Sequence, residues 1–436
     1  MRGYGPFMLS YAEALNRILR HTTLLKVRPL PLSECLGRVL GENIYSPLDF
    51  PHFDNAAVDG YAVGKNFQGQ GTAQLRFAAT RPRRETAGGY CSRHFRQGGG
   101  VFRCELEVQG EIPAGGIFEG GLRFQHAIRI FTGAPVPKGT KAVVMQEHTE
   151  RQNGSVLILK SPERYENIRF RGEDFRKGDL LLKKGTMLEP SHLALLATVG
   201  CKKAPVYPAP KIAILATGNE LLKSGERLSA GKIFDSNTIL LEAMVHRNGG
   251  DPQVLCPAGD SIREIHKAVK MGLECDVLIV AGGVSVGKYD FVKKALAREG
   301  VGEIFWKVDI KPGKPLYFGK KNQTLVFGLP GNPVSVFVTF EEFVKPALLK
   351  MGGKRIEAKW KEGLLTQGFE NGARPHFVRV RCESEKGAVR IILLKGQGSH
   401  QISALARSNA LLKVEPYEIL KKNQKVRVKM MQEANV

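Results

Sequence analysis

The chain has 436 residues, of which 42% are hydrophobic, and its 65 basic residues against 42 acidic ones give a formal net charge of +23. A chain this long exceeds one ordinary core and predicts about three domains of roughly 150 residues each. No apolar run approaches the ~18 residues needed to cross a bilayer, and the first residues lack a signal-peptide pattern, so we expect a cytoplasmic protein with no membrane partner.

Two further classes of protein are disfavoured by the residue types. The seven cysteines are odd in number and form no CxxC pair, which indicates neither a zinc site nor a disulfide framework. The basic residues are spread along the chain without zinc-finger spacing or an RNP-like aromatic strand, so we expect no nucleic-acid partner. The positive field would instead steer a small anionic substrate.

The N-terminal half predicts two helices and a linker. Residues 9–21 carry apolar residues on one face after a capping-box pattern that starts at Ser10, which is typical of an amphipathic helix. Residues 190–200 predict a second helix, with Ser191 as its N-cap. Residues 203–211 contain three prolines within six residues and are interpreted as a linker.

Three apolar runs, at 211–220, 276–290 and 324–337, each break into a Gly-rich turn. Continuous runs rich in Ile, Val and Leu are typical of strands buried on both faces, and the intervening helical patterns complete a parallel, doubly wound α/β domain. In such sheets ligands bind at the carboxyl ends of the strands. Gly-rich turns at this edge offer backbone N–H groups to phosphates and other oxyanions.

The predicted fold class is therefore multidomain α/β plus β. Shifts in composition and periodicity place the boundaries. The predicted domains are an elongated mixed α/β domain (1–63 and 129–206), a small Gly-rich β module with an Arg/Gly-rich insert (64–128), the doubly wound α/β domain (207–352) and a C-terminal β domain (353–436).

Nine blocks of sequence, in order from near residue 9 to about residue 420, resemble the successive motifs of the MoeA and gephyrin E-domain family of molybdopterin molybdenumtransferases. The blocks are FDNAAVDGYAV, RIFTGAPVPKGTKAVVMQE, RGEDFRKGDLLLKKGTML, TGNEL, GKIFDSNT, GGVSVGKYD, KPGKPL, GLPGNPVS and GQGSH. The resemblance implies a homodimer of elongated four-domain subunits. It also implies that adenylylated molybdopterin and molybdate (or tungstate) are consumed, that molybdenum cofactor and AMP are released, and that a divalent cation, usually Mg²⁺, takes part.

Four acidic residues are the predicted catalytic residues. Phosphates and an oxyanion need compensating positive charge, and carboxylates in the same site require a hard cation between them. Asp59, Asp174, Glu220 and Asp290 lie in or beside Gly-containing turns. Of these, Asp59, Glu220 and Asp290 are also the predicted metal ligands.

The predicted anion-binding cations lie after the second Gly-rich turn and in the C-terminal domain. In extended backbone, Lys307 and Lys311 would share a face because their spacing is even, with Lys314 three residues further on. They fit a site for the pterin phosphate or molybdate. By resemblance, Arg379 closes the site from the other side and Ser399 lines its rim.

The remaining predicted substrate contacts are hydroxyl and backbone groups of the turns. They are Thr132, Gly283, Ser285, Gly287, Pro330 and Pro333.

Several acidic and proline residues also have a structural interpretation. Asp54 and Asp235 are each expected to hold a turn through hydrogen bonds to the backbone. Glu220 could cap a following helix. Pro330 and Pro333 could serve only to fix the start of a helix.

Two other functions share features with the leading one. Molybdopterin adenylyltransferase has a similar GGVSVG-type α/β domain, but that activity belongs to a stand-alone domain lacking the blocks at 53–63 and 129–149. A non-catalytic dimeric scaffold is suggested by the architecture of the family alone.

The Arg/Gly-rich insert, 67–108, has seven arginines and few large apolar residues, so ordering it would cost conformational entropy without a core to offset that cost. We predict that much of 68–100 is an exposed loop remote from the active site. Limited trypsin digestion should cleave first between Arg81 and Arg96, and deletion should leave activity largely intact. A protected segment, or loss of activity on deletion, would contradict this prediction.

Overall fold

The structure is a computed structural model that describes residues 8–64, 102–259, 261–283, 291–385 and 387–431. The predictions for the insert 68–100, Ser285, Gly287 and Asp290 fall outside the described residues. The chain forms two compact units, one of Met1–Asn43 with Leu182–Val436, and one of Ile44–Leu181. We call them the terminal unit and the central unit.

The described residues contain eight α-helices, none of them long and apolar enough to cross a membrane. A π-helical segment, Phe340–Val344, joins the sixth helix to the seventh. The helices are α1 (Tyr11–His21), α2 (Pro190–Thr198), α3 (Ser236–Arg247), α4 (Ile262–Gly272), α5 (Phe291–Arg298), α6 (Pro333–Thr339), α7 (Lys345–Met351) and α8 (Ile402–Arg407).

The strands of the described residues belong to two six-stranded sheets, a barrel and several two-stranded pairs. They are β1 (Arg28–Pro31), β2 (Ile44–Tyr45), β3 (Asn55–Ala56), β4 (Gly60–Gly64), β5 (Cys104–Ile112), β6 (His126–Ile130), β7 (Thr140–Met145), β8 (Thr149–Arg151), β9 (Ser155–Ile158), β10 (Ile168–Arg169), β11 (Leu180–Leu182), β12 (Lys203–Val206), β13 (Lys211–Ala216), β14 (Leu221–Leu222), β15 (Ile233–Phe234), β16 (Asp251–Val254), β17 (Val277–Ala281), β18 (Gly302–Trp306), β19 (Tyr317–Lys321), β20 (Thr324–Leu329), β21 (Trp360–Leu365), β22 (Phe369–Glu370), β23 (His376–Glu385), β24 (Ala388–Leu393), β25 (Ala410–Val414), β26 (Ile419–Leu420) and β27 (Lys425–Met430).

The central unit is built on one six-stranded sheet of order β7-β4-β6-β5-β9-β8. Its strands alternate between two cores, because successive side chains of a strand point to opposite faces. Tyr61 and Val63 enter one core, and Ala62 with Ile128 enters the other. The predicted boundaries at 64 and 128 therefore do not separate a module, since β5 and β6 pair within the same sheet as β4 and β7.

The terminal unit contains the α/β sheet, of order β16-β13-β17-β20-β19-β18. The first four strands are parallel, which confirms the predicted parallel sheet, and β19 and β18 add two antiparallel pairings at one edge. Helices α3 and α6 pack on one face and α4 and α5 on the other. Burial on both faces explains why β13 and β17 are continuous apolar runs.

Helix α1 is part of the α/β core rather than of a separate N-terminal domain. Ala14 and Ile18 are fully buried in the same cluster as α6 and the π-helical segment. The backbone N–H of Glu13 donates to Ser10 Oγ at 3.2 Å, as the capping box predicts. The Glu13 carboxylate binds Arg17 at 2.6 Å.

Two local predictions in the N-terminal half are wrong. The N-cap of α2 is Glu189 rather than Ser191, because Pro190 lacks an N–H and fits the first helical position. The predicted linker 203–211 begins with a strand, since β12 pairs antiparallel with β1 along its whole length. Proline is tolerated there because the pair has open edges.

The chain leaves and re-enters the terminal unit along neighbouring antiparallel segments. Val39 pairs with Met187 in an isolated bridge, and the N–H of Leu40 donates to Thr186 O at 2.9 Å. The central unit is therefore inserted between two segments that lie side by side.

The C-terminal residues form a closed barrel of order β21-β24-β23-β25-β27, which confirms the predicted β domain. Inward residues such as Val378, Val380 and Cys382 fill the barrel. Outward residues of β23 and β25, Phe377 and Leu411, join the core of the α/β domain instead.

Two buried carboxylates in the π-helical segment connect these parts of the terminal unit. Glu342 accepts from Lys429 Nζ at 2.9 Å and from the Tyr11 hydroxyl at 2.8 Å. Glu341 binds Arg247 at 2.7 Å and Lys345 at 2.8 Å. Buried charges persist only when they are paired and hydrogen-bonded, and both carboxylates meet that condition.

Lys429→Met should lower the free energy of unfolding by about 3–5 kcal/mol, because it leaves the Glu342 carboxylate buried without its cation. Chemical denaturation measures the change. Lys425→Met is the matched control: its partner Glu362 is exposed, so we expect a much smaller loss. Equal losses in the two variants would contradict the prediction.

Candidate active site

The turns that follow β13, β17 and β20 lie together at the carboxyl edge of the sheet. The N–H of Thr217 donates to Ala281 O at 3.1 Å, and the N–H of Gly282 donates to Leu329 O at 3.1 Å. A Cβ on Gly282 would lie 2.7 Å from Thr217 O, and a Cβ on Gly283 would lie 2.6 Å from Val292 Cγ2. Both glycines also have positive φ, so this close approach of the turns requires them.

Two polar side chains at this edge, missed by the sequence prediction, have buried atoms that need a partner. Thr217 Oγ1 and Asn237 Oδ1 make no hydrogen bond to any described residue. The Asn237 amide donates to Gly331 O at 2.7 Å, which fixes its orientation. Unsatisfied buried polar atoms are rare and costly, so these two atoms mark a place where a ligand can bind. Thr217 lies in the TGNEL block and Asn237 in the GKIFDSNT block, two of the nine blocks that resemble the family.

Glu220 lies exposed on the turn after β13. Its carboxylate folds back over Gly218, where a Cβ would lie 2.5 Å from Glu220 Oε2. The next element is the strand β14, so the interpretation of Glu220 as a helix cap is wrong.

The structural interpretations of two other acidic residues are confirmed. Asp235 caps α3 by accepting from the Thr238 N–H at 3.0 Å. Asp54 accepts from the Arg171 N–H at 2.8 Å and holds a turn.

The start of α6 contacts the C-terminal loop that bears Ser399. Pro333 occupies the first turn after the N-cap Asn332. The Asn332 amide donates to Ser399 Oγ at 2.9 Å, and the Val334 N–H donates to Ser399 O at 3.2 Å. Pro330 precedes this turn, so the PGNP motif and Ser399 are brought together.

The lysine-bearing segment 307–316 is not extended, so the prediction that Lys307 and Lys311 share a face through strand periodicity is wrong. Lys307 has φ of +82°, so the chain leaves the extended conformation immediately after β18. The Lys311 N–H donates to Pro375 O at 2.8 Å, and its carbonyl accepts from Phe377 at 2.8 Å. Lys311 and Lys314 are exposed, whereas Lys307 is half-buried.

Arg379 is fully buried rather than at the surface of the site. Its Nη2 donates to Gly396 O at 2.8 Å and to Gly398 O at 3.2 Å, so it holds the loop that bears Ser399. Burial lowers the pKa of Arg379 to about 10. Its Nε and Nη1 have no partner in the part of the chain that the structure describes.

His376 is a further buried residue that the sequence prediction missed. Burial, together with the nearby charges of Lys311 and Arg379, lowers its pKa to about 4. The ring is therefore neutral at pH 7, and it adds no positive charge to this part of the site.

In the central unit, Asp59 lines a cavity of about 270 Å³ together with Arg129, Glu147 and Arg151. Asp59 Oδ1 accepts from the Thr132 N–H at 2.8 Å and from the Thr132 hydroxyl at 2.7 Å. These hydrogen bonds, first the N–H and then the hydroxyl, lower the pKa of Asp59 below its usual value. Asp59 and Thr132 are thus brought together as a pair.

Asp174 is also exposed in the central unit, on a turn whose backbone donates to Phe50 O at 3.2 Å. Within the described ranges, no group of three or more His, Cys, Asp or Glu side chains is arranged to hold a metal ion. Of the predicted metal ligands, Asp59 and Glu220 belong to different units and Asp290 is outside the described residues.

Three family models match the chain in order. They are described as the MoeA N-terminal region (domain I and II), matching residues 9–200, a probable molybdopterin binding domain, matching 213–350, and the MoeA C-terminal region (domain IV), matching 363–430. Together they define a multidomain protein class with a molybdopterin-binding α/β domain between MoeA-type terminal regions.

Known proteins resemble the chain over nearly its whole length. A molybdopterin molybdenumtransferase of Haemophilus influenzae is 34% identical over 94% of this chain and 95% of its own. One from a Nostoc species is 36% identical over 80% of this chain and 71% of its own. A crystal structure of a molybdopterin biosynthesis MoeA protein from Pyrococcus horikoshii superposes with a TM-score of 0.69, 31% identity, and coverage of 97% and 100%.

The chain belongs to the MoeA family, the molybdopterin molybdenumtransferases, which are transferases of molybdenum cofactor biosynthesis. The resemblance found in the sequence and the interpretation as a transferase are confirmed. The adenylyltransferase and scaffold alternatives are not supported, because the relatives matched over nearly the whole chain carry the transferase name.

Thr132→Val should raise the pKa of Asp59, because it removes the hydroxyl that stabilises the charged carboxylate and leaves only the backbone N–H. A ¹³C NMR titration of the aspartate carboxyls measures the shift. Thr149→Val is the control, since Thr149 lines the same cavity but donates to Gln146 O. An unchanged Asp59 pKa in Thr132→Val would refute the prediction.

Proposed function

We propose that the protein inserts molybdate into adenylylated molybdopterin and releases AMP and molybdenum cofactor, acting as a homodimer with Mg²⁺. The observation that carries the proposal is the meeting of three Gly-containing turns at the carboxyl edge of the sheet, with Thr217 Oγ1 and Asn237 Oδ1 buried there and unsatisfied by any described group. Family membership supports the same reaction.

The Gly-containing turns bind the phosphates of the organic substrate. Their glycines let a ligand approach the backbone closely. Thr217 contributes a hydroxyl, which can donate to a phosphate oxygen, and Asn237 contributes an acceptor for a ligand N–H or O–H. Together they select a ligand that combines phosphate oxygens with a donor group.

The inorganic oxyanion binds where Lys311 and Lys314 lie exposed and where Ser399 contacts the start of α6. Two ammonium groups favour a dianion, and hydrogen bonds to charged partners are the strong ones. Arg379 acts indirectly, because its guanidinium holds the backbone of the 396–398 loop. It thereby keeps Ser399 in position beside the helix.

Release of AMP hydrolyses the anhydride between the two phosphates of the substrate. Water adds across one P–O bond, so AMP and the cofactor each leave with a phosphate, and negative charge develops on the departing oxygen. Groups that stabilise this charge accelerate the step. The N–H groups of the turns supply that stabilisation.

The carboxylates fit a role with Mg²⁺, because hard oxygen donors are its preferred ligands and it commonly uses one or two carboxylates together with substrate phosphates. Asp59, which lines the cavity of the central unit, would supply one such carboxylate. When bound, Mg²⁺ would neutralise phosphate oxygens. Thr132 orients Asp59 and lowers its pKa through two hydrogen bonds. The use of tungstate, the homodimer and the cytoplasmic location stay predictions.

AMP release from adenylylated molybdopterin should require both molybdate and a divalent cation, since the carboxylates otherwise repel the substrate phosphates. Asp59→Asn should abolish turnover by removing the charge while keeping the shape of the side chain. AMP is measured with molybdate or tungstate, with and without EDTA. Full turnover in EDTA, or full turnover by the Asp59→Asn variant, would refute the proposed role of the carboxylate.

Lys311→Met should weaken molybdate binding by about tenfold and flatten its dependence on ionic strength, because one screened charge contact is lost. Calorimetric titration at low and moderate salt measures both effects. Lys422→Met removes the same charge from an exposed turn of the barrel and should change neither. Equal affinities of the two variants would count against an oxyanion site at Lys311.

A further inference from the structure

Trp306 lies at the same edge of the sheet as the Gly-containing turns but is not part of them. It is the last residue of β18. Strand β19 runs antiparallel to both β18 and β20, so β18 and β20 run in the same direction. The indole is half-buried and packs on the core that α4 and α5 cover. Trp306 therefore lies at the edge where the parallel strands end, with part of its ring exposed.

Two lysine ammonium groups lie against this one indole. Lys293 Nζ is 3.8 Å from the centroid of the Trp306 ring, and Lys307 Nζ is 4.1 Å from it. Tryptophan is the best aromatic partner for a cation, so both ammonium groups are held by the ring. The two distances keep them within about 8 Å of each other.

The two lysines are held differently. Lys293, on α5, also binds the Glu303 carboxylate at 3.0 Å, which offsets part of its charge and fixes its position. Lys307 has no carboxylate within ion-pair distance among the residues described. It is the cation of the pair that is available to an anion.

The backbone of Lys307 is strained, and the strained conformation places its side chain. A non-glycine residue at φ of +82° is uncommon and persists only where its surroundings determine it. Here the Lys307 N–H donates to Leu316 O at 3.0 Å, and the next N–H, of Val308, donates to Lys314 O at 3.0 Å. These bonds hold the turn that brings the Lys307 side chain back over Trp306.

We propose that Lys293, Trp306 and Lys307 form a binding site for the phosphate group of an organic phosphate, in which Trp306 is the positioning residue. The inference rests on the proposed function and deepens it by assigning one phosphate of the substrate to this site. A phosphate at the edge of the indole reaches both ammonium groups and relieves their mutual repulsion. The site is separate from Lys311, Lys314 and Ser399, which bind the inorganic oxyanion.

The alternative is that the two lysines only cover an indole that would otherwise be exposed. The two cases differ in what an anion does to the ring. If a phosphate binds, the ammonium groups shift relative to the indole and its emission changes saturably. If the contact is only packing, anions affect the emission no more than the same ionic strength of chloride does.

The chain has only two tryptophans, Trp306 and Trp360, so Trp360→Phe leaves Trp306 as the single tryptophan. In this variant, inorganic pyrophosphate and AMP are titrated at constant ionic strength set with potassium chloride. We expect saturable changes in emission. Lys307→Met in the same background should weaken binding by about tenfold, and Lys294→Met, one residue along α5 from Lys293, should not.

The variants Trp306→Phe and Trp306→Leu distinguish a role of the ring in positioning the lysines from a role in folding. Calorimetric titration with pyrophosphate should give near-normal affinity for the phenylalanine variant, which keeps a ring, and weak binding for the leucine variant. Lys307→Gly relieves the positive φ, so loss of binding in a variant at least as stable as the parent excludes unfolding as the cause.

The proposal is overturned if pyrophosphate gives no saturable change, or if Lys307→Met and Lys294→Met bind alike. The titrations need no molybdate and no turnover. Binding that depends on Lys307 without molybdate-dependent AMP release would therefore refute the proposed function and leave the phosphate site standing.

Discussion

Two backbone hydrogen bonds made by Lys311, to Pro375 and from Phe377, determine the candidate site of the terminal unit. They attach the segment 307–316 to the barrel strand β23, and the same strand carries Arg379. A side chain on a loop is positioned only as well as its backbone is, and here the backbone is held by a strand. The lysines and the loop of Ser399 are consequently set by one element rather than by two independent ones.

That attachment explains why cationic residues are buried beside the site. Arg379 is used internally, on the carbonyls of Gly396 and Gly398, while His376 stays neutral because it is surrounded by low dielectric and positive neighbours. Unsatisfied donors and a strained Lys307 both cost stability, and such costs concentrate at functional sites. Glu341 and Glu342 differ from these residues because both carboxylates are paired with cations, and these ion pairs stabilise the same unit.

The sequence predicted best where a pattern is local and one-dimensional. The runs that became β13, β17 and β20 are continuous because both their faces are buried, and no long-range information is needed to see this. The segment 307–316 was mispredicted because its shape depends on residues such as Pro375 and Leu9, far away in the chain. Lys203–Val206 failed as a linker for the same reason, since its partner is β1.

Side-chain roles were harder to predict than elements. Arg379 was recognised as important, but burial, which decides whether a guanidinium faces a ligand or a carbonyl, is a property of the packed fold. Thr217 and Asn237 stood in recognised motifs, yet their significance comes from atoms left without partners, which sequence cannot display. Helix α8 is only six residues long and has too few turns to produce a periodic signal.

The packing of α1 also has a consequence for the order in which the chain is synthesised and folds. Its partners Phe343 and Phe377 lie more than three hundred residues later, whereas the central unit is complete long before them. At about 5–20 residues per second, α1 would wait on the order of 20–70 s for those partners. An 11-residue helix is marginal alone in water, so during that interval its apolar face is a natural target for a chaperone.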